Sequence, residues 1–231
     1  MGIRVNGKTI VEVYRDEIRA IIKDGINRGL RAPSIKTILV GSDGGSLSYV
    51  KSQNNLCDKL GISYTCIQLE KDTSQKDIID VIEKFNEDTS VDGIIIQLPL
   101  PKNLNEREIT SKISYKKDID GLTDVNMGRF YKGDKSFIPC TALGVIEMIK
   151  NTGCDIKGKH AVVIGRSNIV GKPAAQLLLN EDATVTICHS KTTNLAEICK
   201  TADIIVAAIG KPGFVTSKFV KEGAIVIDVG T

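Results

Sequence analysis

The sequence contains no tryptophan, and aromatic residues fill only 4% of its 231 positions. So few rings give no platform for stacking nucleic-acid bases, and a formal net charge of +3 is too small to grip a phosphate backbone. Histidine is nearly absent, with two in the chain, and the six cysteines (Cys57, Cys66, Cys140, Cys154, Cys188, Cys199) form no C-x-x-C pair, which speaks against zinc or any other metal site. These cysteines read as reduced and mostly buried thiols. No run approaches the roughly 18 uninterrupted apolar residues that a membrane span needs. The opening Met1-Gly2-Ile3-Arg4-Val5-Asn6-Gly7 has no apolar stretch of the kind a secretory signal carries, so the expected setting is the cytoplasm. Proline is scarce, 6 against 21 glycines, and with 42% hydrophobic and 26% charged residues the profile is that of a globular α/β protein. The length suits two modest domains.

Apolar positions Tyr14, Ile18, Ile21, Ile22 and Ile26 recur at helical spacing, and the run Ile35 to Val40 predicts a strand ending at Gly41. A turn cluster follows, with Ser46 as the expected N-cap of a helix that runs through Leu60 and closes at Gly61. Ile62 to Leu69 reads as a strand, Ser74 to Asp77 as a capping box, Ile78 to Phe85 as a helix, and Gly93 to Ile96 as a fully apolar strand. Strands alternating with helices at this spacing predict βαβ units and a parallel sheet. From Lys102 to Pro139 the pattern weakens into polar, turn-rich sequence, the expected junction between a first domain of residues 1–137 and a second of 138–231. Beyond it, helices and strands alternate again to the end, predicting a second doubly wound unit.

Within the second half, the strand Ala161 to Ile164 runs directly into Gly165-Arg166-Ser167-Asn168-Ile169-Val170-Gly171 and an apolar-faced helix, the setting of a phosphate-binding turn. It departs from G-x-G-x-x-G, because serine takes the second glycine position and the last glycine comes one residue late. The next strand ends at Cys188-His189-Ser190-Lys191 with no acid to bind the ribose hydroxyls of NAD, whereas Arg166 and Ser190 can bind the extra phosphate of NADP. NADP is therefore the favoured cofactor, with NAD possible. In the first half, Tyr49 and Gln53 stand four apart on one helix face, which also suits a half-buried tyrosine with a polar companion. Gln97 ends an apolar strand at the carboxyl edge of the sheet, where ligands collect, just before Leu98-Pro99-Leu100-Pro101, in which a cis bond is possible. Asp118-Ile119-Asp120-Gly121 has turn composition.

Taken together, Ser46-Leu47-Ser48-Tyr49-Val50, Gln97-Leu98-Pro99-Leu100-Pro101, Lys117-Asp118-Ile119-Asp120-Gly121, Phe137-Ile138-Pro139-Cys140-Thr141, the turn at Gly165 to Gly171, and Cys188 to Thr192 closely resemble the methylenetetrahydrofolate dehydrogenase and methenyltetrahydrofolate cyclohydrolase family. The resemblance runs nearly the whole chain. It implies a folate-binding catalytic domain followed by a Rossmann-type NADP-binding domain, with the active site in a cleft between them, a homodimer, and a place in one-carbon metabolism and purine biosynthesis. Tyr49 would lie against the aromatic part of the folate, Asp120 would hydrogen-bond the pterin, and Gln97 would sit beside the reacting carbon next to Leu98 and Pro99. Gly165, Arg166, Ser167, Gly171, Ser190 and the segment ending at Thr231 would hold the NADP.

Two departures qualify what the resemblance implies. Four residues after the motif tyrosine the family carries a lysine that assists hydrolysis of the methenyl cation, and this chain has Gln53. A neutral amide orients water but cannot change protonation state, so dehydrogenase activity with a weak or lost cyclohydrolase is the expectation. Lys51 does not replace it, since two residues along a helix is about 200° of rotation. The alternatives are a fully bifunctional enzyme, with Gln53 and ordered water in place of the lysine, and a catalytically silent folate- or nucleotide-binding protein. The second departure is at Val229-Gly230-Thr231, where relatives continue with a glycine-rich segment and a terminal helix returning to the first domain.

Overall fold

The computed structural model of this chain describes residues 2–229. Its elements run in the order α1 (Gly7–Asn27), β1 (Ser34–Val40), α2 (Gly44–Leu60), β2 (Ser63–Leu69), α3 (Gln75–Glu87), β3 (Gly93–Ile96), α4 (Glu106–Ser111), α5 (Asp124–Lys132), α6 (Cys140–Lys150), β4 (His160–Ile164), α7 (Gly171–Asn180), β5 (Thr184–Cys188), α8 (Leu195–Lys200), β6 (Ile204–Ala207), a short 3-10 turn (Ser217–Phe219) and β7 (Ile225–Asp228). The α/β class predicted from the alternation is the observed one, with two parallel sheets ordered β2-β1-β3 and β5-β4-β6-β7.

By packing, the chain divides into Val11–Phe137 and a second unit that joins the residues up to Ile10 to those from Ile138 onward. By contact the opening residues thus group with the second unit, whereas the sequence reading placed them in the first domain. The physical reason is a groove that Gly2 to Asn6 line together with Met148, Asn151 and Gly223 to Asp228.

Side-chain alternation gives the first sheet two different faces. On one, Ile38, Val40, Ile94 and Ile96 form a buried cluster with Ile78 and Ile82 of α3. The strands run parallel with Thr37 beside Cys66 and Ile95, so Thr37, Tyr64, Cys66 and Ile95, followed by Gln97, turn to the opposite face, over which α2 lies. Helix α2 starts earlier than predicted. Its N-cap is Asp43, whose carboxylate accepts from Ser46 N at 3.0 Å and Ser46 Oγ at 3.2 Å, so Ser46 is capped and does not cap. Gly61 ends the helix in the left-handed region at φ 78°.

The polar stretch after Lys102 is more ordered than the sequence suggests. It holds α4 and α5, capped by Asn105 and Thr123, both too short for helical periodicity to show. Lys117 fixes the segment between them by donating from Nζ to the carbonyls of Phe85 (2.8 Å), Asn86 (2.8 Å) and Asp88 (2.7 Å) at the end of α3. In the second unit, β4 and β6 form the buried middle of the sheet, with Ala161 to Ile164 and Ile204 to Ala207 at 2% exposure or less.

Candidate active site

At the carboxyl edge of the first sheet, Gln97 Nε2 donates to Leu98 O at 3.0 Å, while Gln97 Oε1 is buried and has no hydrogen-bond partner among the described residues. A buried acceptor left unpaired is costly unless a ligand completes it. The Leu98-Pro99 peptide beside it is cis. Tyr49 and Gln53 sit on α2, with Tyr49 59% exposed to solvent and Gln53 half-buried. Gln53 is tied to the sheet, since the Tyr64 hydroxyl of β2 donates to its Oε1 at 2.9 Å. Burial raises the Tyr64 phenol above its ordinary range, which keeps it protonated. Lys51 is exposed and outside this contact.

Asp118 and Asp120 have separate environments in the same loop. Asp118 is buried and accepts from Thr123 N (2.8 Å), Leu122 N (3.1 Å) and Asn126 Nδ2 (2.8 Å), so its work is to hold the loop. Asp120 lines a small cavity with Ile94, Ile96 and Ile113. Burial, and secondarily the charge of Asp118, push the Asp120 carboxyl up to about 6.

In the second unit, Gly165 follows β4 at φ +120°, and a Cβ there would lie 2.3 Å from Ala208 O. A Cβ on Gly171 would lie 2.4 Å from Gly165 O. Only glycine at both positions lets the turn fold back on itself before the helix. Ser167 Oγ accepts from Val170 N (3.2 Å) and Gly171 N (3.3 Å), which holds the turn and keeps the hydroxyl proton for another acceptor. Gly171 is therefore a packing residue of the turn. Beside it, a cavity of about 390 Å³ is lined by Arg166, His189, Ser190 and Lys211, with Leu195 and Phe214 as apolar walls. Two cations, a hydroxyl and an imidazole over an apolar slot suit a phosphorylated, flat-ringed ligand.

Two domain models match this chain. The catalytic domain of tetrahydrofolate dehydrogenase/cyclohydrolase matches residues 5–120, and the NAD(P)-binding domain of the same family matches residues 139–231. The chain belongs to the tetrahydrofolate dehydrogenase/cyclohydrolase family. Among its relatives is the bifunctional protein FolD of Clostridium tetani, 56% identical over 230 residues that span 100% of this chain and 83% of that protein. The crystal structure of bifunctional FolD from Campylobacter jejuni superposes with a TM-score of 0.94 at 39% identity, covering 97% of this chain and 79% of the other. That of the Trypanosoma brucei dehydrogenase-cyclohydrolase, complexed with NADP and an inhibitor, gives 0.95 at 34% identity over 100% of this chain and 79% of the other.

For this family member the structure sorts the predicted residues into two sets. Tyr49, Gln53, Gln97, Leu98, Pro99 and Asp120 belong to the unit Val11–Phe137, and Gly165, Arg166, Ser167, Gly171 and Ser190 to the other. Thr231 lies outside the described residues. Sequence reasoning missed Tyr64 and Lys211. Lys211 had a signal, because Gly210-Lys211-Pro212-Gly213 is a turn at the carboxyl end of β6, where ligands of parallel sheets gather. Tyr64 had none, as its partner lies on another element. Among the described residues no cluster of three or more His, Cys, Asp or Glu is placed to hold a metal, and no helix is long and apolar enough to cross a membrane. Of the six cysteines, Cys57, Cys188 and Cys199 are buried, Cys66 and Cys154 half-buried and Cys140 exposed.

Proposed function

We propose that this chain oxidises 5,10-methylenetetrahydrofolate to the 5,10-methenyl compound with NADP and then hydrolyses the product to 10-formyltetrahydrofolate, working as a homodimer. The single observation that carries the reading is that both domains match, and that the whole of this chain aligns with relatives named as bifunctional. Those relatives favour both activities over the weak or lost cyclohydrolase that Gln53 alone suggested. They also favour an enzyme over a silent binding protein.

The second unit fits NADP by its own chemistry. Arg166 and Lys211 offer two cations to the ribose phosphate, Ser190 and Ser167 offer hydroxyl donors, and no acid stands where β5 ends to repel it. NADP, when bound, supplies the hydride acceptor.

The residues of the first unit then bind and orient the folate. Asp120, ionised above about pH 6, accepts hydrogen bonds from the pterin's N–H donors. Tyr49 lays an exposed ring against the aromatic linker. Gln97 Oε1, the unpaired buried acceptor, faces the one-carbon unit as positive charge spreads over its two nitrogens. Oxidation needs orientation and no strong base. In hydrolysis water adds to the methenyl carbon and loses a proton, and the ring opens as the other nitrogen takes one up. Gln53 orients that water without exchanging protons with it.

Both reactions are to be measured on one preparation, oxidation by nicotinamide absorbance and hydrolysis by decay of the methenyl chromophore. Both are expected at rates that keep the intermediate from accumulating. Oxidation without hydrolysis reduces the chain to a dehydrogenase, and neither activity makes it a binding protein. Sedimentation equilibrium checks the dimer.

A further inference from the structure

Gln53 offers a ligand two different ends, a carbonyl that only accepts and an amino group that only donates. Nothing in the amide's own torsion chooses between them, since the terminal bond of glutamine is broad and nearly two-fold. The choice falls to a neighbour. Tyr64, eleven residues further along the chain and on β2, donates its hydroxyl to Gln53 Oε1 at 2.9 Å, in a half-buried contact on the face of the sheet that also carries Thr37 and Gln97. With the carbonyl end held by the phenol, the two N–H donors are the end turned away from β2.

We propose that Tyr64 is a positioning residue for the one-carbon site: by holding Gln53 Oε1 it turns the amide so that Nε2 donates to the oxygen that water leaves on the methenyl carbon, as that oxygen becomes the formyl carbonyl. The assignment rests on the bifunctional reading above. In hydrolysis the attacking water becomes a hydroxyl on a tetrahedral carbon while one proton leaves for solvent; the ring nitrogen then takes up a proton, its bond to that carbon breaks, and the hydroxyl gives up its own proton to become the formyl oxygen, so a donor aimed at that oxygen stabilises the negative charge it gains. An amide facing the other way would present a second acceptor, which cannot bond to that oxygen's lone pairs. The phenol is the neutral device by which a glutamine keeps a donor where a charged amine would need no such guide. It stays protonated because burial raises it.

The test compares the full-length wild type, Tyr64→Phe, Gln53→Lys and the double variant, each assayed for methylene oxidation and for methenyl hydrolysis. In the glutamine background Tyr64→Phe lowers the ratio of hydrolysis to oxidation about tenfold, the size of effect that one neutral hydrogen bond supports. In the lysine background the same change leaves that ratio within about twofold, because an ammonium has no acceptor for the phenol to hold. Gln53→Met, which removes both N–H donors without adding a base, lowers the ratio of hydrolysis to oxidation at least as far as Tyr64→Phe does. An equal loss in both backgrounds, or a proportional loss of both reactions, makes Tyr64 a packing residue and overturns the proposal. A wild-type chain that hydrolyses nothing sinks the bifunctional reading separately. The orientation is then decided by the side-chain amide resonances of Gln53, identified by their disappearance in Gln53→Met. Well-separated signals that collapse toward free-glutamine values in Tyr64→Phe support positioning, and signals unmoved by that change overturn it.

Discussion

Asp120 shows at the scale of one residue how a group proposed to bind ligand weakens the fold that carries it. Its carboxyl is raised to about 6 from an ordinary 3.8, first by burial and then by Asp118, so the folded chain favours the protonated form. A raised carboxyl supports stability fully below its unfolded value, near pH 4, and that support is lost as the pH climbs through 6. Above it the ionised group costs up to about 3 kcal/mol. Replacing Asp120 with Asn should therefore raise the urea midpoint at pH 7.5 by the equivalent of about 1–3 kcal/mol, and the gain should vanish at pH 4. The same variant should bind folate poorly at pH 7.5, because an amide presents one acceptor oxygen where the carboxylate presents two. A stability gain that is equal at both pH values would remove the titration from the account. Gln97 makes the complementary point, with a buried carbonyl oxygen that no group among the described residues satisfies. A ligand is the natural partner for such an atom.

At the scale of elements, Lys117 connects parts that neither helix nor strand explains. Its ammonium takes three backbone carbonyls at the end of α3, where the helix dipole is negative, while the peptide N–H of Ile94 in β3 donates to Lys117 O at 2.8 Å. The loop bearing Asp118 and Asp120 is thus anchored to a helix end and a strand edge. Lys117→Met keeps most of the side-chain volume and removes the three charge-assisted bonds. It is expected to cost about 2–3 kcal/mol by chemical unfolding and to weaken folate binding through a looser loop. A loss below about 0.5 kcal/mol would place Lys117 among ordinary surface lysines. The turn between β4 and α7 works in the opposite manner, by close approach: Gly165 and Gly171 leave no room for a Cβ, so the helix start is set by backbone contact and not by a side-chain cap.

At the scale of the whole molecule, the residues proposed to bind folate and those proposed to hold the cofactor fall in different compact units, each with its own parallel sheet and core. Ligand linkage follows from that separation. NADP alone should stabilise the wild type by about 2.7 kcal/mol at a concentration one hundred times its dissociation constant. At the same concentration, Arg166→Ala or Lys211→Met should lose most of this gain, while the response to NAD changes little, since the extra phosphate is what those cations are proposed to meet. Asp120→Asn should keep the NADP response in full. Thermal shifts with each nucleotide measure all of these. An Arg166 variant that responds equally to both nucleotides, as before, would remove that residue from the phosphate site.

Local pattern in the chain was enough to establish the α/β alternation, the parallel sheets, the turn at Gly165 to Gly171 and the family itself, because periodicity, turn chemistry and motif spacing act over a few residues. Two short helices escaped it in the stretch after Lys102, since six and nine residues are too few for a period to appear. What only tertiary structure decided are contacts across elements. Strand order put β2 beside β1 and so brought Tyr64 to Gln53. It put β6 beside β4 and so brought Lys211 into the cavity with Arg166. Folding back of the first residues onto β7 moved them to the second unit. Each depends on which elements pack together, a choice made by the burial of whole apolar faces, and no short window of sequence contains both partners.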